Sequence, residues 1–293
     1  MTPLETYFLT NYSINCPPTT FLRSHDFFAL SVHILSPFSL IFGVYGIVVI
    51  VLATPTTMKN AKWFILHLHV ATFYIEFVVN VLLMPFMFLP SGAIYSSGIL
   101  LQIGVPFKLA HIIGQESFPE YGIALLMLYG NRHSSITTIP YRMTKKNTKI
   151  LFYTLHYIIA MLLLIIPYME FVDDEPEKLK TLHIVPCPDK VFFEEKTKVF
   201  STNLSLIYLI GGSEVLYFLG IVGFFVAQSS YYLLKKPNLS LSERTRNLQK
   251  QFFFTLCVQI FIPLAILCIP LVVFYFTIAN GIMEQCKFFI LKI

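Results

Sequence analysis

Between residues 105 and 129 the sequence places Lys108, His111, Gln115, Glu116 and Glu120 in an otherwise apolar stretch. On a helix, Lys108, His111 and Gln115 share a face by their i, i+3, i+7 spacing, and Glu116 and Glu120 extend it by i, i+4. Charged side chains inside a bilayer are costly, so they face protein or a water-filled cavity, and they mark functional positions. With Glu214 in a later apolar stretch, these residues could line a small-molecule cavity. The plainer alternative is a central helix, buried all round, whose polar groups bond one another. Glu76 and Asn80 lie one turn apart in another apolar stretch. They read either as a polar network relaying helix motion or as a protonated structural acid beside a hydrogen-bonding neighbour. Arg132 and His133, and then Arg244, Arg246 and Lys250, stand where apolar stretches end or begin. An arginine there presents a fixed fork of donors that can exchange partners between two helix arrangements, or it anchors the chain by reaching to lipid headgroups. No G-x-S-x-G, H-E-x-x-H or phosphate-cradling glycine loop occurs. No Cys/His cluster has metal-ligand spacing. No enzyme, cofactor, metal or nucleic-acid partner is expected.

The elements that position these residues are membrane spans. Hydrophobic residues make up 56 % of 293 and charged residues 13 %, against about 25 % charge in a soluble domain. Apolar stretches at 27–52, 63–89, 105–129, 150–171 and 204–228, with a sixth inside 240–276, are long enough to cross a lipid bilayer. The connections after the first, third and fifth are short and basic and hold more than half of the 21 lysines and arginines. That alternation puts them in the cytoplasm and the N-terminus outside. The expected fold is an all-α polytopic membrane helix bundle with six transmembrane helices. It divides into an extracellular segment 1–26, a bundle 27–276 and a short, extracellular tail 277–293. The stretch 240–276 opens with the S-x-x-E capping pattern of Ser240 and Glu243. Within it, Pro263 and Pro270 lie two turns apart on nearly one side and are expected to kink the helix.

Cys16 and Cys187 both fall in segments expected outside the cell, where disulfides persist. Their pairing would tie the N-terminal segment across the mouth of the bundle, with Cys286 as a competing partner. Asn11 begins an acceptable glycosylation sequon.

Several local words resemble a known family. They are Thr54-Pro55 with Met58, Leu66-His67-Leu68-His69 with Glu76, Asn131-Arg132-His133, and Pro186-Cys187-Pro188 before Phe192-Phe193. The most specific is Thr245-Arg246-Asn247-Leu248-Gln249-Lys250 leading into Leu256-Cys257-Val258-Gln259-Ile260 and Ile262-Pro263-Leu264. In this order, over roughly residues 16–276, they resemble the nematode serpentine chemoreceptors of the Srh family. The resemblance implies a seven-helix receptor architecture, placement in the plasma membrane of sensory-neuron cilia, a small-molecule ligand and a heterotrimeric G protein as partner. It makes Arg132, His133, Arg244, Arg246 and Lys250 the coupling surface, and it places an acid at Glu76. Two departures stand out. Gly130 occupies the place beside Asn131-Arg132 where the family usually carries an acid, and the apolar run for a seventh span is missing. A transporter or channel subunit is the alternative class, although no repeat of two halves is visible. A non-signalling receptor remnant is the third reading.

Overall fold

The computed structural model describes residues 2–54, 59–88, 91–169, 175–199, 204–235, 242–251 and positions 253–255, 257, 258 and 261. Its long helices are α1 (His25–Ala53), α2 (Lys59–Phe77), α3 (Phe107–Ser135), α4 (Lys146–Met169) and α5 (Leu204–Leu234), followed by α6, which opens at residue 243. Among the described residues, four helical segments are long and apolar enough to cross a membrane: His25–Ala53, Ala61–Leu83, Lys146–Leu164 and Gly212–Leu234. The protein is thus a multi-pass membrane bundle. Its apolar surface fits a lipid solvent, and α1 buries only Ser36 and Gly43 while Leu52 is 78 % exposed. The expected kinks at Pro263 and Pro270, the tail 277–293 and Cys286 lie outside the described residues.

The helix ends follow the local sequence. Ser24 caps α1 by accepting the Phe27 N–H at 3.3 Å, and Asp26 complements the helix dipole in the first turn. For α6 the capping residue is Ser242, whose Oγ accepts the Thr245 N–H at 3.3 Å. That corrects the start expected at Ser240, which itself lies outside the described residues. Helix α3 continues past residue 129 to Ser135, so Arg132 and His133 belong to its last turns and not to a loop.

Helix α3 is the hub. It packs against α2, α4 and α5. Three of its glycines, eight residues apart, each receive a side chain from a different element. Gly114 faces Leu83 beyond α2, Gly122 faces the Phe218 ring of α5, and Gly130 faces the Tyr153 hydroxyl of α4. In each case a Cβ would come within 2.7 Å of its neighbour. Small residues let helices approach where the hydrophobic effect gives no help between them. Around this hub Leu126, Tyr129, Tyr153, Ala160, Phe218 and Phe225 form the main core.

Helix α2 passes into a π-helical turn, Val78–Leu83, which carries Asn80, and ends on Met84 in the left-handed region at φ 45°. The span expected to run to residue 89 therefore stops earlier. The remainder is strand β1 (Pro85–Phe88), which pairs antiparallel with β2 (Ala93–Ser96), with Phe86 opposite Tyr95. β2 also pairs with β3 (Thr197–Val199) from the long loop before α5. After β2 the chain turns back so closely that a Cβ on Gly98 would lie 2.2 Å from the Leu82 carbonyl oxygen. The small sheet, the loop helix Glu175–Ile184 and the N-terminal helix Pro3–Tyr7 enclose a second core of Phe88, Ala93, Tyr95, Leu182, Phe192 and Val199. A Cys16–Cys187 disulfide and a Tyr12 hydroxyl donating to the Pro188 carbonyl at 2.8 Å hold this cap together. Burial, and then the Glu194 carboxylate to which its hydroxyl donates, push the Tyr95 phenol up to about 12.

Candidate functional site

The polar residues of α3 separate along the helix. Lys108 in the first turn is exposed. One turn on, His111 is buried beneath the cap, with Nε2 3.2 Å from Ser96 Oγ of β2 and Nδ1 3.0 Å from the Phe107 carbonyl. His111 thus fastens cap to bundle. Gln115 is half-buried. Glu116 accepts the Tyr74 hydroxyl of α2 at 3.1 Å and the Tyr157 hydroxyl of α4 at 2.8 Å. Glu120 lies 2.7 Å from Nε2 of His67 on α2. The predicted face therefore does not open as one surface. Its carboxylates bridge α3 to two neighbouring helices.

Glu214 comes to the same depth on α5. Helices α3 and α5 run in parallel, as two contacts show: Gly122 against Phe218, and His133 Nε2 2.7 Å from Gln228 Oε1. One turn before Phe218, Glu214 therefore stands level with Phe118, between Glu116 and Glu120. It is 7 % exposed, and its Oε1 has no hydrogen-bond partner. Glu76 accepts the Ser39 hydroxyl of α1, so it bridges α1 and α2.

The partners of these acids went unread in the sequence. Tyr74 and His67 were legible as a pair, because an i, i+7 spacing puts them on one face of α2. Tyr157 carried no such signal. The interhelical pair His67–Glu120 has side chains about one-third exposed. A double-mutant cycle of His67→Ala and Glu120→Gln, read by thermal unfolding in detergent, should give a coupling of about 0.6–1.7 kcal/mol, the range of hydrogen bonds between helices in membranes. Strict additivity would show the contact to be energetically idle.

At the other end of α3, Arg132 and Ser135 line a cavity of about 500 Å³ with Leu233 of α5 and Thr245, Leu248 and Gln249 of α6. Lys250 lines a neighbouring cavity of about 460 Å³ with Ser230, Phe254 and Cys257. Arg244 is exposed and Arg246 half-buried. His133, 3 % exposed and bonded to Gln228, ties α3 to α5 and does not line this cavity. Gly130 leaves room that the Tyr153 hydroxyl fills. On the cap, Cys16 is bonded to Cys187, the alternative kept open against Cys286, and Asn11 is exposed.

The family model described as serpentine-type 7TM GPCR chemoreceptor Srh matches residues 23–293. The chain belongs to the Srh family. The family match runs past residue 276, where the local words end, to the last residue of the chain. A similar relative is serpentine receptor class H-72 of Caenorhabditis elegans, 28 % identical over 271 residues, covering 91 % of this chain and 78 % of the relative. Srh proteins are receptors of the chemosensory GPCR type. The all-α bundle, the membrane setting and the receptor class expected from the sequence are thereby borne out.

Proposed function

We propose that this Srh protein is a plasma-membrane chemosensory receptor, N-terminus outside, that binds a small molecule and signals to a heterotrimeric G protein. The observation that carries this reading is the Arg132 cavity. Helices α3, α5 and α6 line it, so any shift of α6 against α3 changes its shape. Arg132 can exchange partners there between two helix arrangements. The same stretch of α6 carries Arg244, Arg246 and Lys250, positive charge suited to an acidic partner segment. His133 positions α5 through Gln228. The ligand sits at the level of Glu116, Glu120 and Glu214, with Gln115 half-buried just above and Lys108 and His111 at the entrance under the cap, and with Glu76 and Asn80 as the polar network linking α2 to its neighbours. By family resemblance the site of action is the cilium of a sensory neuron, and Asn11 is the glycan acceptor.

The experiment is nucleotide exchange on purified heterotrimeric G proteins by membranes carrying the receptor, exposed to a small-molecule library. Arg132→Ala should lower ligand-driven exchange at least about tenfold, the effect of roughly 1.4 kcal/mol, while leaving the thermal unfolding midpoint near wild type. Exchange unaffected by Arg132→Ala would overturn the assignment of this cavity. A cytoplasmic N-terminal epitope tag would overturn the orientation.

A further inference from the structure

We infer that the ligand is a protonated organic amine and that Glu214 is its counter-ion. This rests on the reading of the α3–α5 polar level as the ligand site.

Apart from Lys108 in the first turn of α3 and Arg132 in its last turns, charge across the spans is one-sided. The stretches 24–58, 63–107, 109–131, 150–177, 199–234 and 251–286 hold no lysine or arginine. The helices nevertheless carry Glu76, Glu116, Glu120 and Glu214. Three of these acids have donors from their own protein: Ser39 for Glu76, Tyr74 and Tyr157 for Glu116, and His67 for Glu120. Glu214 is buried with Oε1 unpartnered. A buried carboxylate without a partner is costly. The sequence from 251 to 286 holds no lysine or arginine.

The surroundings favour an ammonium group on an apolar body. Tyr121, Tyr157 and Tyr217 pack on the core beside this level, and aromatic faces attract cations. A hard metal ion needs about six or more oxygen ligands, and no group of three His, Cys, Asp or Glu that could hold a metal occurs among the described residues. Glu116, held by two tyrosine hydroxyls, and Glu120, held by His67, add negative potential at the same depth while keeping their own partners. Glu214 is then the acid left for the ligand, and a ligand lacking positive charge would leave its charge uncompensated.

The test uses the full chain purified in detergent, with phenethylamine and hexylamine as probes and phenethyl alcohol, hexanol and phenylacetate as matched controls. Thermal unfolding is followed at rising probe concentration. The amines should raise the midpoint in a saturable way and the controls should not. Glu214→Gln, which keeps volume, should weaken the apparent amine affinity by about thirtyfold or more, as expected when one partner of a buried charge pair is removed. Glu214→Asp should retain a reduced response. Glu195→Gln, which removes an exposed acid from the loop before α5, should leave the response unchanged.

Equal shifts from alcohol and amine, no amine shift at all, a shift matched by sodium ion, or an amine response surviving Glu214→Gln would each overturn the proposal. Failure of the receptor reading is separate. An alcohol or carboxylate that drives G-protein exchange keeps the receptor and removes the amine. Amine binding through Glu214 without any G-protein exchange keeps the site and removes the signalling role.

Discussion

Cys16→Ser releases the N-terminal segment from the cap. The disulfide joins residues 171 apart. Loop-closure entropy for so long a separation corresponds to roughly 5 kcal/mol in a free chain. Here the spans between the two cysteines remain threaded through lipid, which limits how far the ends can part. The expected loss is therefore nearer about 2–3 kcal/mol. It falls on the cap and not on the bundle, because the cap has its own core of Phe88, Tyr95, Leu182 and Phe192. Hydrogen exchange at Pro3–Tyr7 and at β3 should speed up in the variant or under reducing agent. Amides of α3 around Leu126, in the main core, should keep their protection. Unchanged exchange at Pro3–Tyr7 would mean that the Tyr12–Pro188 bond and the apolar contacts suffice without the covalent link.

Gly122→Leu should have the larger effect on the bundle. Glycine in a helix costs about 1 kcal/mol relative to alanine, so adding a side chain would stabilise α3 if there were space. There is none. A Cβ at 122 would lie 2.7–2.8 Å from three atoms of the Phe218 ring, which is itself part of the main core. Overpacking of this kind costs about 1–3 kcal/mol. Leucine adds three carbons beyond the Cβ, and the sum outweighs the gain in propensity. The variant should unfold at a clearly lower temperature in detergent and reach the cell surface poorly. The pair Gly122→Leu and Phe218→Ala should recover part of that loss, because the second change empties the space the first invades. If Gly122→Leu alone matches wild type, α3 and α5 are not as close as Gly122 and Phe218 indicate.

The residues differ in how far they could be read without a fold. The spans were legible because their signal is local: runs free of charge and long enough to cross lipid, separated by basic connections. The Srh resemblance was legible in the ordered words from Thr54 to Pro263, and the family match extends it. Helix boundaries were less so. Arg132 and His133 read as lying where the apolar stretch ends, and α3 keeps its hydrogen bonding past them to Ser135. The connection after α2 folds as the β1–β2 hairpin, and β2 also pairs with Thr197–Val199, a segment about a hundred residues away, which no local pattern carries.

The sequence by itself determined a receptor-type bundle of membrane helices, its polar residues, and the near-absence of lysine and arginine from the spans, Lys108 apart. These are properties of composition and period, and lipid enforces them along each segment separately. The tertiary structure alone decided the pairings. It put Glu120 with His67 and Glu116 between two tyrosines, joined Cys16 to Cys187, turned His133 inward to Gln228, and buried Glu214 with its Oε1 unbonded. Which donor meets which acid is set by the rotation and depth of one helix against the next. Those are fixed by close approaches such as Gly122 on Phe218, and such approaches join residues that the sequence keeps far apart.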